Sequence, residues 1–117
     1  MASLTPRISV EIIKDSTVIT FSSEKILDER EIHALEHSIL PIIEEAGAGK
    51  FVLNFANVKF LSSAVLGLLI RISKKIYQQN GQLRLCSINP KIFDIFKITR
   101  LDRVFDIFPD CETAVEG

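Results

Sequence analysis

With 117 residues, 47% hydrophobic content and a formal charge of −1, the chain suits one domain with an ample core and has no global attraction to nucleic acid or acidic lipid. No apolar run reaches the ~18 residues of a membrane span, and the opening MASLTPRISV lacks the length and apolar core of a signal peptide. Cys86 and Cys111 lie in different sequence contexts and make no disulfide framework, so reduced thiols in a cytoplasm are expected. The first sixty residues carry nine acids and six bases, the remainder six acids and eight bases. That mild polarity can orient a partner without identifying one.

In chain order, Ile8 to Ile13 alternates as a half-buried strand, Lys14-Asp15-Ser16 is a polar turn, and Thr17 to Phe21 is β-branched and aromatic. The two runs predict a hairpin. Ser22 to Lys25 breaks the pattern. Asp28 is the expected N-cap of a helix from about Glu29 to Glu45, with Glu31 favoured by the dipole and Ile32, Leu35, Ile39, Ile42 and Ile43 in helical period. Pro41 removes a backbone bond inside that span and is expected to kink or split the helix. Ala46-Gly47-Ala48-Gly49 ends it. Phe51 to Phe55 reads as a central strand. After a short connection a helix runs from Ser62 to Gln79, with Val65, Leu69, Ile72 and Ile76 on its apolar face and Asn80-Gly81 as its stop. Leu83 to Ser87 is a fourth strand, and Pro90 opens a short helix through Ile98 with Ile92, Phe93 and Phe96 buried. Leu101 to Phe108 is ambiguous: Val104-Phe105 and Ile107-Phe108 suit a short edge strand. The tail to Gly117 is a last helical turn or a frayed end. The order β-β-α-β-α-β-α-(β) predicts a single α/β domain, a mixed sheet of four to five strands with packed helices.

The junction at Ser62-Ser63 is the foremost functional candidate, because unpaired N–H groups point outward where a loop enters a helix. Three chemistries compete there. A plain N-cap contributes about 1 kcal/mol. A catalytic serine lacks the Gly-x-Ser-x-Gly elbow, and both histidines lie on the first long helix, so a small serine hydrolase is the weakest alternative. A phosphoacceptor would gain roughly −1.5 to −2 charges at a helix start. His33 and His37 stand one turn apart, but Ala34 follows His33 and no His-Glu-x-x-His box exists, so they read as surface histidines and no metal is expected. Gly47 and Gly49 lead into a strand and form no phosphate loop. Lys74, Lys75, Lys91, Lys97, Arg100 and Arg103 lack interleaved stacking aromatics and read as solvated charges, with no nucleic-acid role. Cys86, in a strand, reads as a buried inert thiol.

The stretch 51–70, FVLNFANVKFLSSAVLGLLI, resembles the central signature of STAS domains, the bacterial anti-sigma factor antagonists. There a strand of the type V-L-[DN]-L precedes Asp-Ser-[Ser/Thr]-Gly-Leu-Gly at a helix start. Lys25-Ile26-Leu27-Asp28 falls where the family has Gly-x-Leu-Asp, and Asn80-Gly81-Gln82-Leu83 where it turns into its fourth strand. Ile88-Asn89-Pro90 with Phe93, Phe96, Ile98 and Leu101 resembles its third helix, so the likeness covers about residues 7–115. The resemblance places the family's phosphorylated serine on Ser63, its aspartate on Ser62, its next Ser/Thr on Ala64, and its two glycines on Val65 and Gly67. Asp28 takes the place of the aspartate that helps form the partner surface. Ser62, Ala64 and Val65 depart from the pattern, and an exposed first turn would make Val65 a greasier contact. The resemblance implies a non-enzymatic partner switch without cofactor. The unmodified protein binds an anti-sigma factor that is itself a GHKL-type serine kinase, the kinase phosphorylates Ser63 with its own ATP, and a phosphatase resets it. The alternative on the same fold is a non-switching scaffold or a lipid-transport accessory subunit.

Overall fold

The computed structural model describes residues 7–116. Most of the N-terminal stretch read for an export signal, residues 1–6, and the terminal Gly117 lie outside the described residues. Lys14 and Asp15 both take positive φ, 49° and 68°, the mirror-image turn whose twist matches a two-residue hairpin. It joins β1 (Ile8–Ile13) to β2 (Ser16–Phe21) in antiparallel register, with Ile13 opposite Ser16 and Ile8 opposite Phe21. β2 then pairs in parallel with β4 (Lys50–Asn54), β4 with β6 (Gln82–Cys86), and β6 with the edge strand β7 (Asp106–Phe108). The resulting five-stranded mixed sheet has the order β1-β2-β4-β6-β7.

Side-chain alternation sends β2, β4 and β6 residues to opposite faces. Ile19, Phe21, Phe51, Leu53, Leu83 and Leu85 enter the main core beneath three helices: α1 (Glu29–Ala46), α2 (Ser63–Gln78) and α3 (Pro90–Ile98). Val18, Val52 and Cys86 face the other way, under α4 (Cys111–Glu116), where Ala114 and Val115 cover them. Phe55, just past β4, is buried and its ring lies 5.0 Å from that of Phe21.

α1 is one uninterrupted helix, so Pro41 does not split it. Pro41 lies on the exposed side, where water can satisfy the carbonyl left without a donor. Gly47, at φ 64°, ends the helix. Gln79 supports that end from α2: its Nε2 donates to the Ile43 carbonyl over 2.8 Å and the Gly47 carbonyl over 3.0 Å. Asn80 takes positive φ after α2. The ambiguous segment resolves into a 3-10 turn, Leu101–Arg103, and then β7. Phe105 leaves the strand for the core and meets Phe96 edge-on at 6.2 Å, while Val104 is exposed. The tail is the helix α4.

Two short strands were not anticipated. The connection after β4 contains a two-residue strand, β5 (Phe60–Leu61), paired in parallel with β3 (Lys25–Ile26) in a separate small sheet. Among the described residues no helix is long and apolar enough to cross a membrane.

Candidate functional site

The β3–β5 pair builds the site. The amides of Lys59 and Phe60 donate to the Glu24 carbonyl over 2.8 and 3.0 Å, and the Ser62 amide donates to the Ile26 carbonyl over 3.0 Å. With Ile26 in register with Leu61, both chains leave the pair in the same direction. Asp28 caps α1 and Ser62 occupies the N-cap position of α2 at the same end of the molecule. Asn89 fixes this arrangement from the third helix. Its Oδ1 accepts from the Ile92 amide over 2.9 Å, and its Nδ2 donates to the carbonyls of Val58 and Lys59 over 3.1 and 3.3 Å. One side chain therefore caps α3 and holds the approach to β5. In sequence Pro90 marked the helix start, and Asn89 was assigned neither role.

The two helix starts differ electrostatically. At α1, the Asp28 Oδ1 accepts from the Arg30 amide over 2.7 Å, Glu29 and Glu31 add charge in the first turn, and Ser23 donates its hydroxyl to Glu31 over 2.6 Å. That positive dipole end is answered by carboxylates. At α2 no acid lies in the first turn. Ser62 has cap-like backbone angles, φ −88° and ψ 162°, yet its side chain makes no capping bond, and its Oγ is buried without a partner. Only its carbonyl serves the helix, accepting from the Val65 amide over 3.0 Å. The serine expected to cap thus leaves a stranded hydroxyl, at a cost of order 1–3 kcal/mol. Ser63 and Ala64 are exposed beside it.

Between the helix starts lies a cleft of about 210 Å³ lined by Glu29, Ile32, His33, Ala64 and Arg71. Arg71 crosses from α2 to α1 and grips Glu36 with two bonds, Nε to Oε2 at 3.0 Å and Nη2 to Oε1 at 2.9 Å. The Arg71 hydrogen bond holds the Glu36 carboxyl below its ordinary value, against partial burial that pushes it up. Glu36 in turn holds the guanidinium above its own. A Cβ built on Gly67 would stand 3.5 Å from Arg71 Nη1, so the guanidinium lies back across that glycine.

The structure brings Asp28, Ser62, Ser63, Ala64 and Gly67 to one end of the fold, with Gly67 half-buried. Val65 is corrected as a contact residue. It is 1% exposed, because the spacing it shares with Leu69, Ile72 and Ile76 turns it into the main core. His33 and His37 are exposed on α1, and His33 reaches the cleft shared with Ala64, nearer the serines than the sequence suggested. Lys75 and Lys97 pair with Glu44 and Asp94 at 3.3 and 3.4 Å. Burial pushes the Cys86 thiol up to about 12. Cys86 at the end of β6 and Cys111 at the start of α4 pack in one cluster. Sequence reasoning also missed the Arg71–Glu36 clamp, whose partners are 35 residues apart.

A family model for the STAS domain matches residues 7–114. A Thermotoga neapolitana protein provisionally named as an anti-sigma factor antagonist is 26% identical over 106 residues, covering 91% of this chain and 92% of its own. Among solved structures, an anti-sigma-factor antagonist (STAS) domain protein from Planctomyces limnophilus superposes with a TM-score of 0.83 at 25% identity, over 93% of this chain and 94% of that one. The Bacillus cell fate determinant SpoIIAA, solved in its phosphorylated form, shares the fold with a TM-score of 0.69 at 16% identity, over 93% and 96% of the two chains.

Proposed function

The chain belongs to the STAS domain family, and from that membership we propose that it is an anti-sigma factor antagonist, non-enzymatic, working by partner switching with Ser63 as the phosphorylated residue. The observation that carries the reading is the contrast between the helix starts. α1 is already neutralised by Asp28, Glu29 and Glu31, whereas α2 presents an exposed Ser63 at a dipole end without an acid. A phosphate there is held locally by the helix N-terminus. A partner that docks across both helix starts meets a dianion beside the α1 carboxylates, and desolvating it opposes binding. Moving a complex from 99:1 to 1:99 takes about 5.5 kcal/mol, within reach of one phosphate in a desolvated contact.

The partner is an anti-sigma factor that is itself a GHKL-type serine kinase, with a phosphatase to reset the switch, and the site of action is the cytoplasm. Asp28, Ser62, Ser63, Ala64 and Gly67 form the contact surface, and Val65 acts only through the core. The similarity to SpoIIAA in its phosphorylated form supports a fold able to carry such a group. Titrating the anti-sigma factor with unmodified and Ser63-phosphorylated protein tests this: binding falls by about ten-thousandfold on phosphorylation, the ratio such a switch needs, and equal affinities overturn it.

The second reading keeps the fold as a constitutive scaffold or a lipid-transport accessory subunit. It is favoured by Ser62 and Ala64, which alter the surface around Ser63. Val65 lends it nothing, since that departure is absorbed inside the core. A transporter ATPase bound with equal affinity by the wild type and by Ser63→Glu is its signature.

A further inference from the structure

We propose that the cleft between β5 and α3 binds an amphipathic monoanion, specifically a free acyl carboxylate of medium chain length. The cleft holds about 350 Å³ and is lined on its apolar side by Leu27, Phe60, Leu61, Ile92 and Ile95, a size and lining typical of small-molecule sites. Leu27 and Phe60 are 52% and 48% exposed, apolar side chains left to water at the mouth of a concavity. The ring of Phe60 is approached by Lys25 Nζ at 5.7 Å from its centroid.

Every charged group at the rim is a cation: Lys25, Lys59 and Lys91. The Lys59 ammonium has Glu24 at 3.5 Å, an exposed and weak pair. An adjoining hollow of about 410 Å³ shares Lys59, Phe60 and Lys91, so the groove continues past Pro90, again with no carboxylate in its lining. The rim therefore selects for a negative head, and the apolar side for a hydrocarbon tail worth about 0.8 kcal/mol per buried methylene.

The backbone argues against an extended peptide as the occupant. The amides of Lys59, Phe60 and Ser62 are all spent on the carbonyls of Glu24 and Ile26, and the Asn89 amide group is spent on Val58 and Lys59. Those donors are therefore unavailable for main-chain pairing, and the lining offers ammonium groups and apolar side chains instead. A single-headed acyl chain needs nothing more. The site is separate from Ser63, although Leu61 and Ile26 hold both together through the β3–β5 pair.

Amide correlation NMR spectra of the full chain, titrated with sodium decanoate below its micellar concentration, test the assignment. Saturable shifts centred on Leu27, Phe60, Lys91 and Ile95 are expected, with a dissociation constant below about 1 mM. Acetate and decyltrimethylammonium should each bind at least about tenfold more weakly, the first lacking the tail and the second the charge. The triple variant Lys25→Ala, Lys59→Ala, Lys91→Ala should weaken decanoate at least about fivefold without changing the thermal melt, since all three are exposed. Leu27→Ser, also exposed, should weaken it while keeping every lysine. Absent or non-saturable shifts, or equal binding of decanoate and decyltrimethylammonium, overturn the proposal. Sedimentation with phosphatidylglycerol vesicles in the absence of saturable decanoate binding also overturns it and assigns the lysines to a membrane surface.

Discussion

The Ser62 amide donates to the Ile26 carbonyl over 3.0 Å, and this bond sets two helix starts side by side. Beyond it, the Ser62 side chain is stranded, its Oγ buried without a partner in a position shaped for capping. Ser62→Ala removes an unsatisfied hydroxyl and should leave stability unchanged or raise it by about 0.5–1 kcal/mol. Ser62→Asp supplies a longer acceptor to the free α2 amides and should stabilise by about 1 kcal/mol above pH 5. Urea unfolding of the three proteins measures both. A clear loss of stability in Ser62→Ala would mean the hydroxyl is bonded.

The Arg71–Glu36 clamp carries a pH signature. The Glu36 carboxyl titrates below its ordinary 4.5 in the folded protein, so its contribution is complete above that value and is lost as pH falls through the folded value. Arg71 stays charged throughout, so its raised value adds no dependence in this range. With the Glu36 side chain 19% exposed and the Arg71 side chain 53% exposed, the bidentate pair contributes of order 0.5–1 kcal/mol. Arg71→Ala should destabilise by about that amount at neutral pH, and the difference should shrink as pH falls below 4.5 and vanish once Glu36 is protonated. A gap that persists in acid would assign the loss to packing of the arginine stem.

Two glycines should respond oppositely to alanine. At Gly81 a Cβ would meet the Gly49 carbonyl oxygen at 2.8 Å and Ile76 Cγ2 at 2.9 Å, and since the nearer atom is backbone the neighbour cannot give easily. Gly81→Ala should cost about 1–3 kcal/mol. At Gly67 the nearest atom is the mobile end of Arg71 at 3.5 Å, so Gly67→Ala should gain up to about 1 kcal/mol from helix propensity. If partner binding then weakens despite the added stability, the glycine is kept for close approach rather than for folding. Thermal melts alongside binding titrations separate the two effects.

The thiols differ in reactivity. Burial pushes Cys86 up to about 12, so its thiolate is scarce at neutral pH, while Cys111 is only half-buried at the start of α4. Brief iodoacetamide treatment of native protein near pH 8 should modify Cys111 alone. Peptide mapping that finds Cys86 modified at a similar rate would mean that α4 opens readily.

Much of the frame was legible because its signals are local. Apolar spacing marked β1, although Val10 and Ile12 are exposed rather than half-buried, β-branched residues marked β2, Asp28 marked the start of α1, and Pro90 marked α3, each a signal contained within a few residues. β3 and β5 were not legible, since two residues establish no period and exist as strands only through each other. α3 ends at Ile98, and Arg100 two residues on takes φ 62°, a left-handed residue without glycine to announce it, which is why the following segment stayed ambiguous. Val65 shows the reverse: its core role was present in the helical spacing, and motif position alone suggested a surface role. Ser63 was found through a resemblance, but the reason its surroundings suit a phosphate, an acid-free helix start beside an acid-rich one, required the tertiary pairing of Ile26 with Leu61.

The central claim is that Ser63 is the switch. Incubation with the cognate anti-sigma kinase and ATP, followed by mass-spectrometric mapping, should find a single phosphate on Ser63 and none in Ser63→Ala. A kinase active on another substrate that leaves Ser63 unmodified, or that places the phosphate on Ser62, would contradict it.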